Sequence, residues 1–322
     1  MIKKEDLRIV FMGTPEFAVE SLKALLRNNY QVVGVVTSPD KPAGRGYQIQ
    51  CSAVKQFALE EGLTVLQPAK LKDECFIEEL RALKADLQIV VAFRMLPEIV
   101  WDMPRLGTFN LHGSLLPQYR GAAPINWAII NGEKTTGVTT FFLSHDIDTG
   151  KIIFREGTMI GPEENAGDIH DRLMQKGAFL VIKTMEAICN ENYETTDQEE
   201  YIIHPEELKV APKIFKENCR INWKMKKEDI YNLIRGLSPY PTAWTELVTD
   251  SSRQTLKIFS AVRKGGVSDL PNGSILTDNI TYLDIVVDDG FISLQNIQLS
   301  GKKMMGIEEF LRGRKVEGAI LE

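Results

Sequence analysis

Apolar strand patterns alternate with helical patterns along the first part of this 322-residue chain. The runs LRIVFMG, QVVGVVTS and DLQIVVAF are continuous and rich in β-branched residues, which is typical of strands buried on both faces of a sheet. Strands separated by helices in this order pair in parallel through right-handed crossovers. The alternation therefore predicts an α/β fold with a Rossmann-like, doubly wound, mostly parallel sheet.

The pattern changes near Tyr201. A polar and basic connector follows, then a helical pattern in EDIYNLIRGL and several short strand patterns separated by Gly, Asn and Asp. Short strands at this spacing are typical of a small β-barrel. We therefore predict two domains, with a larger α/β domain at residues 1–206 and a small barrel domain at residues 207–322.

Charge and cysteine usage limit the class of function. The net charge of −6 argues against a uniformly basic nucleic-acid-binding coat, although it allows a local basic stripe. The 4 cysteines lie far apart without a CxxC pair, which favours reduced thiols over a disulfide framework or a zinc site. The N-terminal apolar run is too short for a signal peptide or a membrane span. We expect a cytoplasmic protein that does not associate with membranes.

The strand pattern TFNLHG carries the strongest candidate chemistry. Strand alternation places Asn110 and His112 on one face, at the carboxyl end where open α/β sheets bind ligands. An Asn amide can donate to a developing oxyanion, and a His can move a proton near neutral pH. The pair suits transfer of an acyl-type carbon through a tetrahedral intermediate. The residues alone leave a second interpretation open, in which both are capping or core polar groups.

The segment HDIDTG offers a carboxylate that could orient the His112 imidazole. It contains Asp146 and Asp148 before a Thr-Gly turn. Either Asp can instead form an Asx-turn between two strands. The sequence alone does not say which of them reaches His112.

Two other kinds of site, a dinucleotide-binding turn and a serine nucleophile, are excluded because their motifs are incomplete. FMGTPEF has one glycine where a dinucleotide-binding turn needs GxGxxG, so it indicates a strand-to-helix turn near a ligand crevice. Ser114 has no GxSxG elbow around it, which argues against a serine nucleophile.

Basic residues mark two further regions. SPDKPAGRG is rich in Pro and Gly and predicts a long flexible loop, in which Arg45 is either solvated or closes on a large anionic substrate. The connector from Lys209 to Asp229 holds seven basic residues against three acidic ones. Such a run is either a solvated face or an RNA-binding surface.

The motifs together resemble the folate-dependent formyltransferases. NLHGSLLPQYRGAAPINWAI followed by HDIDTG contains the Asn-x-His…Asp constellation and the Ser-Leu-Leu-Pro turn of that superfamily. FMGTPEFAV, TSPDKPAGRG, KIFKENCRINW and GKKMMGIEEFLRGR are similar to the methionyl-tRNA formyltransferase family within it, and the similarity runs from about Arg8 to Arg314. The chain departs from relatives at Gly113, where they commonly have Ala, and at Phe93-Arg94, where they commonly have Tyr-Gly.

The resemblance implies a reaction and a set of residues. The reaction is transfer of a formyl group from 10-formyltetrahydrofolate to the α-amino group of methionine on initiator Met-tRNA, with no metal. The barrel is implied to be OB-like and to contact tRNA with the connector. The implied residues are the catalytic Asn110, His112 and Asp148, the folate-binding Ser114, Leu115, Leu116 and Pro117, and the tRNA-binding Arg45, Lys209 and Lys213.

Two alternatives remain open, the first within the same superfamily and the second in a different class of function. A formyltransferase acting on a sugar-nucleotide amine can carry a similar second domain. A noncatalytic folate- or RNA-binding protein would not need an intact Asn-x-His…Asp constellation. We expect the protein to be a monomer.

Overall fold

The structure is a computed structural model that describes residues 2–43, 48–249, 252–314, 316 and 318–322. These residues form two compact units, and neither unit is one continuous stretch of chain. The first comprises Met1–Gly121, Thr136–Thr158 and His170–Val210, and the second comprises Ala122–Thr135, Met159–Ile169 and Ala211–Glu322. The division at residue 206 stays a prediction.

Helices and strands alternate through the first part of the chain. In order they are β1 (Arg8–Gly13), α1 (Glu16–Arg27), β2 (Gln31–Val36), β3 (Lys41–Ala43), β4 (Gln48–Gln50), α2 (Ala53–Glu60), β5 (Val65–Leu66), α3 (Glu74–Ala82), β6 (Leu87–Val91), α4 (Glu98–Trp101), β7 (Thr108–His112), β8 (Arg120–Gly121), α5 (Pro124–Ile130), β9 (Thr135–Phe142), β10 (Ile152–Met159) and α6 (Ala166–Cys189).

Strands predominate in the rest of the chain. The elements are β11 (Val210–Ala211), α7 (Lys227–Gly236), β12 (Ala243–Thr249), β13 (Ser252–Lys264), β14 (Ile275–Thr277), β15 (Leu283–Val287), β16 (Gly290–Leu299), β17 (Met305–Gly306), α8 (Ile307–Arg312) and β18 (Ile320–Leu321). Short 3₁₀ turns lie at Gln198–Tyr201, Pro205–Glu207 and Glu217–Cys219.

The predicted doubly wound sheet is confirmed. Its strand order is β10-β9-β7-β6-β1-β2-β5, and β1 pairs in parallel with both β2 and β6. β6 and β7 are also parallel, whereas β7 and β9 are antiparallel. From β1 the chain moves outward first to β2 and later to β6, and such a reversal opens a crevice at the carboxyl ends of the strands. The sheet is therefore mixed, with β7 at the change from parallel to antiparallel pairing.

Local sequence explains how the sheet is covered. Asp73 caps α3 by accepting a hydrogen bond from the Phe76 amide at 3.3 Å, and the apolar face of α3 packs on Val10, Val36 and Val90. At the end of β1, a Cβ on Gly13 would lie 2.6 Å from the Ala18 Cβ. The single glycine of FMGTPEF is thus required for close packing of β1 against α1.

The prediction of one long loop in SPDKPAGRG is wrong for part of its length. Lys41–Ala43 and Gln48–Gln50 are strands that pair antiparallel. Proline excludes a central strand because it lacks an N–H, but it is tolerated in a two-stranded ladder, where half of the backbone groups need no partner. Residues 44–47, including Arg45, lie outside the described residues.

The predicted small barrel is also confirmed. Its antiparallel strands run in the order β14-β15-β16-β13-β12-β18, and β17 pairs with β16. A bridge between Ser274 and Ile320 joins the two ends of this order, so that the sheet is nearly closed. The barrel interior is filled by aliphatic side chains together with Trp223, whose indole N–H donates to the Thr245 hydroxyl at 3.0 Å.

Candidate active site

The imidazole of His112 lies at the carboxyl end of β7 and is almost completely buried, with 6% of the residue exposed. Its Nε2 is 2.9 Å from the carbonyl oxygen of Tyr119. A carbonyl oxygen can only accept, so Nε2 carries a hydrogen and donates it. The second ring nitrogen, Nδ1, is left for chemistry. It lies 3.9 Å from Oδ2 of Asp148, close enough for an ion pair when the ring is protonated but too far for a direct hydrogen bond.

Asp148 reaches the imidazole because the chain turns sharply in DTG. Asp148 has a φ of 55°, a left-handed conformation that Asp tolerates better than most residues. A Cβ on Gly150 would lie 1.7 Å from the Phe142 carbonyl oxygen, so only glycine fits. The Asp148 carboxylate also accepts a hydrogen bond from the Gly121 amide at 2.9 Å. The turn thus aims this carboxylate between Gly121 and His112.

Asp146 has a different position. It is exposed, and its backbone carbonyl accepts a hydrogen bond from the Thr149 hydroxyl at 3.1 Å, within the turn. His145 points away from Asp148, toward Glu98 at 3.8 Å and the edge of Trp101. Of the two aspartates that the sequence left open, Asp148 is the one that the structure brings to His112.

Asn110 lies two residues before His112 on the same strand face and is partly exposed. It is flanked by Val90 of β6 and Phe141 of β9 in the sheet register. Its side-chain amide makes no hydrogen bond to another described residue. A partly exposed amide beside a buried imidazole can donate to an oxygen that is supplied by a ligand.

The Ser-Leu-Leu-Pro turn is fixed by hydrogen bonds to Gln118 and Thr139 and by packing against β9 and β10. The Ser114 hydroxyl donates to the Gln118 carbonyl at 2.6 Å, and the Thr139 hydroxyl donates to the Ser114 carbonyl at 2.7 Å. Leu116 and Pro117 are buried, and Leu116 packs on Phe141 and Ile152. Leu115 is the member of the turn whose side chain stays partly exposed. The turn therefore presents backbone and one leucine side chain.

Phe93-Arg94 follows β6 after one intervening residue, Ala92. The Arg94 guanidinium donates to the carbonyl oxygens of Ala69, at 3.1 Å, and Pro68. Burial lowers the pKa of Arg94 below its ordinary value, because a buried cation is poorly solvated. Arg94 thus ties the end of β6 to the segment after β5, beside the crevice.

Of the basic residues expected to bind tRNA, Lys209 and Lys213 lie in the described part of the connector. Lys209 and Lys213 are exposed, and the Lys213 ammonium lies 5.4 Å from the centre of the Phe215 ring. The Lys209 backbone takes part in the first unit, since its carbonyl accepts from the Tyr119 amide at 2.7 Å. Arg45 lies outside the described residues.

Sequence reasoning missed Arg120 and Gln198, which adjoin the site. Gln198 is completely buried, and its amide donates to the carbonyl oxygens of Asp148 and Gly150 at 2.8 and 2.9 Å. The Arg120 guanidinium donates to the other end of Gln198. A glutamine within the polar stretch TTDQEEY carries no sequence signal of burial. Its burial is apparent only from the path that the chain takes after α6.

In the part of the chain that the structure describes, no group of three or more His, Cys, Asp or Glu side chains is placed to hold a metal ion. Among the same residues, no helix is long and apolar enough to cross a membrane.

The sequence matches two family models and many named proteins. Residues 7–185 match the model described as Formyl transferase, and residues 213–315 match Formyl transferase, C-terminal domain. A methionyl-tRNA formyltransferase of Parabacteroides distasonis is 59% identical over 98% of both chains. A methionyl-tRNA formyltransferase of Flavobacterium johnsoniae is 54% identical over 96% of both chains.

Solved structures with much lower identity share the fold. The sugar 3N-formyl transferase WlaRD, crystallised in the presence of dTDP and 5-N-formyl-THF, has a TM-score of 0.65 at 22% identity and covers 92% of this chain and 99% of its own. An N-formyltransferase from Helicobacter canadensis, solved with folinic acid and dTDP-3-aminofucose, also has a TM-score of 0.65 at 22% identity and covers 89% of this chain and 98% of its own.

Proposed function

This chain belongs to the formyl transferase family, and from that membership we propose that it transfers a formyl group from 10-formyltetrahydrofolate to the α-amino group of methionine on initiator Met-tRNA. Support for the acceptor comes from relatives named methionyl-tRNA formyltransferase, which align with nearly the whole chain at 54–59% identity. The structural observation that carries the proposal is the buried His112, with Nε2 bound to a carbonyl and Nδ1 facing Asp148.

The reaction exchanges one carbon–nitrogen bond for another. The neutral amine of the methionyl group attacks the formyl carbon, and a tetrahedral intermediate forms whose oxygen carries negative charge. The bond between that carbon and N10 of the folate then breaks, and a new formamide remains on the methionine. One proton leaves the attacking amine and one reaches N10, so a group that moves protons assists both halves of the reaction.

We assign Asn110 to the oxyanion of the tetrahedral intermediate and His112 to the proton that leaves the amine. The Asn110 amide donates to the developing oxyanion, and removal of one such donor typically reduces turnover about 100- to 1,000-fold. Because Nε2 of His112 already donates to Tyr119, Nδ1 is the nitrogen that accepts the proton from the amine. The imidazolium formed in this way lies 3.9 Å from Asp148, whose negative charge stabilises it.

We assign the turn of Ser114, Leu115, Leu116 and Pro117 to the wall of the formyl-donor site. Its hydrogen bonds to Gln118 and Thr139 and its buried side chains hold it in place beside β7. A rigid apolar wall with exposed backbone groups can bind the flat ring system of a folate without reorganising. The Ser114 hydroxyl already donates to the Gln118 carbonyl, so Ser114 contributes to binding by shaping the turn.

Contacts with the tRNA backbone are assigned to Arg45, Lys209 and Lys213. Both lysines are exposed in the connector, and Arg45 lies outside the described residues. Cationic side chains of this kind position a nucleic acid through its phosphates and add little sequence preference.

A panel of acceptors tests the proposal. Purified protein with 10-formyltetrahydrofolate is offered Met-charged initiator tRNA, uncharged initiator tRNA and a sugar-nucleotide amine. We expect formylation of the charged tRNA alone. Formylation of the sugar amine without formylation of Met-tRNA would assign the protein to the sugar-modifying branch, and absence of any transfer would indicate a binding protein.

We also propose that the enzyme acts as a monomer in the cytoplasm, where charged tRNA is available. Sedimentation analysis should give a mass near 36.3 kDa at working concentration. A species of twice that mass that persists on dilution would contradict the monomer.

A further inference from the structure

The segment that follows α6 runs back across the turns that hold His112. It falls between the two family models, since the first ends at residue 185 and the second begins at residue 213. Thr196 exchanges backbone hydrogen bonds with Ile152 at 2.9 Å in both directions, which attaches the segment to the start of β10. Gln198 follows two residues later and is completely buried in the first unit.

Every hydrogen-bonding group of the Gln198 side chain is used. Its Oε1 accepts two hydrogen bonds from the Arg120 guanidinium, at 3.0 and 2.7 Å. Its Nε2 donates to the Asp148 carbonyl at 2.8 Å and to the Gly150 carbonyl at 2.9 Å. A primary amide has two donor hydrogens and one oxygen with two lone pairs, so Gln198 is saturated. A carboxylate of the same shape could keep the contacts to Arg120 but could not donate to the two carbonyls.

The two carbonyls that Gln198 binds belong to the turn that carries Asp148. Asp148 is held at a φ of 55°, and a residue other than glycine in this region costs on the order of 1 kcal/mol. Such a conformation persists when surrounding contacts over-determine it. Within the described chain, Gln198 is the side chain that binds this backbone from outside the turn.

The same network reaches the opposite side of the imidazole. Arg120, which holds the other end of Gln198, lies between Tyr119, whose carbonyl accepts from His112, and Gly121, whose amide donates to the Asp148 carboxylate. The Tyr119 amide in turn donates to the carbonyl oxygen of Lys209 at 2.7 Å, and Lys209 lies farther along the chain from Gln198. Gln198 therefore couples the residues that contact Nε2 with the residue that faces Nδ1.

We infer that Gln198 is a positioning residue for formyl transfer, acting through Asp148 and Arg120 to fix the carboxylate that faces His112. The inference rests on the proposed function. Misplacement of a catalytic group by about 1 Å can reduce turnover by about 100-fold. Loss of Gln198 should therefore lower kcat while the binding of donor and acceptor remains.

The test compares Gln198→Glu and Gln198→Ala with the wild type and with Thr184→Ala. Thr184 is also completely buried in the first unit and hydrogen-bonded, to Thr140 and Leu180, so its loss controls for general destabilisation. Formylation of charged initiator tRNA gives kcat and KM for both substrates. The Gly121 amide proton, which donates to the Asp148 carboxylate, is followed by NMR and hydrogen exchange as a report that needs no turnover.

We expect both Gln198 variants to lose about 10- to 100-fold in kcat with each KM within about twofold of wild type. The Gly121 amide proton should shift upfield and exchange faster in both variants, and Thr184→Ala should change neither readout. Loss of kcat with an unchanged Gly121 amide, a displaced amide with unchanged kcat, or an effect confined to KM would each overturn the inference. If the wild type does not formylate Met-tRNA, the proposed function fails, and the Gly121 amide alone then decides whether Gln198 holds Asp148.

Discussion

At the scale of single residues, the chemistry depends on which nitrogen of His112 is engaged by the protein. Tyr119 occupies Nε2, which leaves Nδ1, on the side of Asp148, for the proposed proton transfer. This division of the ring follows from the chain path of the QYRG turn, in which Tyr119 itself adopts a φ of 62°. The backbone after the Ser-Leu-Leu-Pro turn thus fixes the tautomer of His112, the proposed base.

Substitution of His112 or Asn110 by Ala tests these roles. We expect each variant to lose at least about 100-fold in turnover, because a proton acceptor or an oxyanion donor is gone. Binding of Met-tRNA, measured by filter retention, should stay within about twofold, because neither side chain contacts phosphate in the proposed complex. Equal loss of tRNA binding in a folded variant would contradict the assignment.

Gly150 tests the turn that carries Asp148. In Gly150→Ala the new methyl group would lie 1.7 Å from the Phe142 carbonyl oxygen, so the backbone must shift. We expect the free energy of unfolding of this unit to fall by about 3 kcal/mol, as measured by urea denaturation. Gly157→Ala is the matched control, since its methyl group would meet ordinary contacts at 3.7 Å. Similar effects of the two substitutions would contradict the steric argument.

The residues of the site were predictable from sequence to different degrees. Alternation along β7 placed Asn110 and His112 on one face, and the structure agrees. Strand and turn patterns left Asp146 and Asp148 equivalent, and only the family resemblance selected Asp148, because the difference lies in a backbone turn whose geometry depends on Gly150 and Phe142. The burial of Gln198 was not predictable, since it depends on contacts between the chain after α6 and residues that are distant in sequence.

At the scale of secondary structure elements, a carboxylate joins the amino ends of the central strands. Asp86, which precedes β6, accepts hydrogen bonds from the Arg8 amide at 3.0 Å and from the Arg105 guanidinium at 2.7 Å. Partial burial raises the pKa of Asp86, but these hydrogen bonds outweigh burial and the pKa falls below the ordinary value of 3.8. Asp86 therefore stabilises the junction of β1 and β6 in its charged form.

The lowered pKa of Asp86 predicts how stability changes with pH. The contribution is fully present above the unfolded-state value of 3.8 and is lost as the pH falls through the folded-state value. In Asp86→Asn we expect a loss of about 1 to 2 kcal/mol at pH 7 and a shallower loss of stability below pH 4 than in wild type. Urea denaturation at both pH values measures this difference. An unchanged acid limb would show that Asp86 does not contribute through its charge.

Long elements were predicted better than short ones. The buried strands and α1, α3, α6 and α7 follow from apolar periodicity, because burial of one face dominates their energetics. β3, β4 and β18 have only two or three residues each, too few for a periodic pattern. α8 lies in the C-terminal segment GKKMMGIEEFLRGR and has only six residues, but Ile307, Phe310 and Leu311 are buried against the barrel core.

At the scale of the whole molecule, a net charge of −6 must be compatible with a polyanionic acceptor. Charge is uneven along the chain, since the connector is basic while the sequence as a whole is acidic. Several of these cations lie over the rings of tryptophan and phenylalanine side chains in cation–π contacts, including Lys213 over Phe215 and Lys216 over Trp244. A fixed cation binds phosphate at a lower entropic cost than a freely rotating one.

Salt dependence of tRNA binding tests this local basic surface. Each phosphate contact contributes a slope of roughly 0.7 to 0.9 in a plot of log affinity against log salt concentration. In Lys209→Ala/Lys213→Ala we expect the slope to fall by about 1 to 2 and affinity at low salt to weaken, while 10-formyltetrahydrofolate binding stays unchanged. Lys3→Ala is the control, because Lys3 is exposed just before β1, at the edge of the sheet opposite the carboxyl ends of its parallel strands. If the double variant and the control have the same slope, the connector lysines do not contact the phosphate backbone, and recognition of the acceptor must come from other cations.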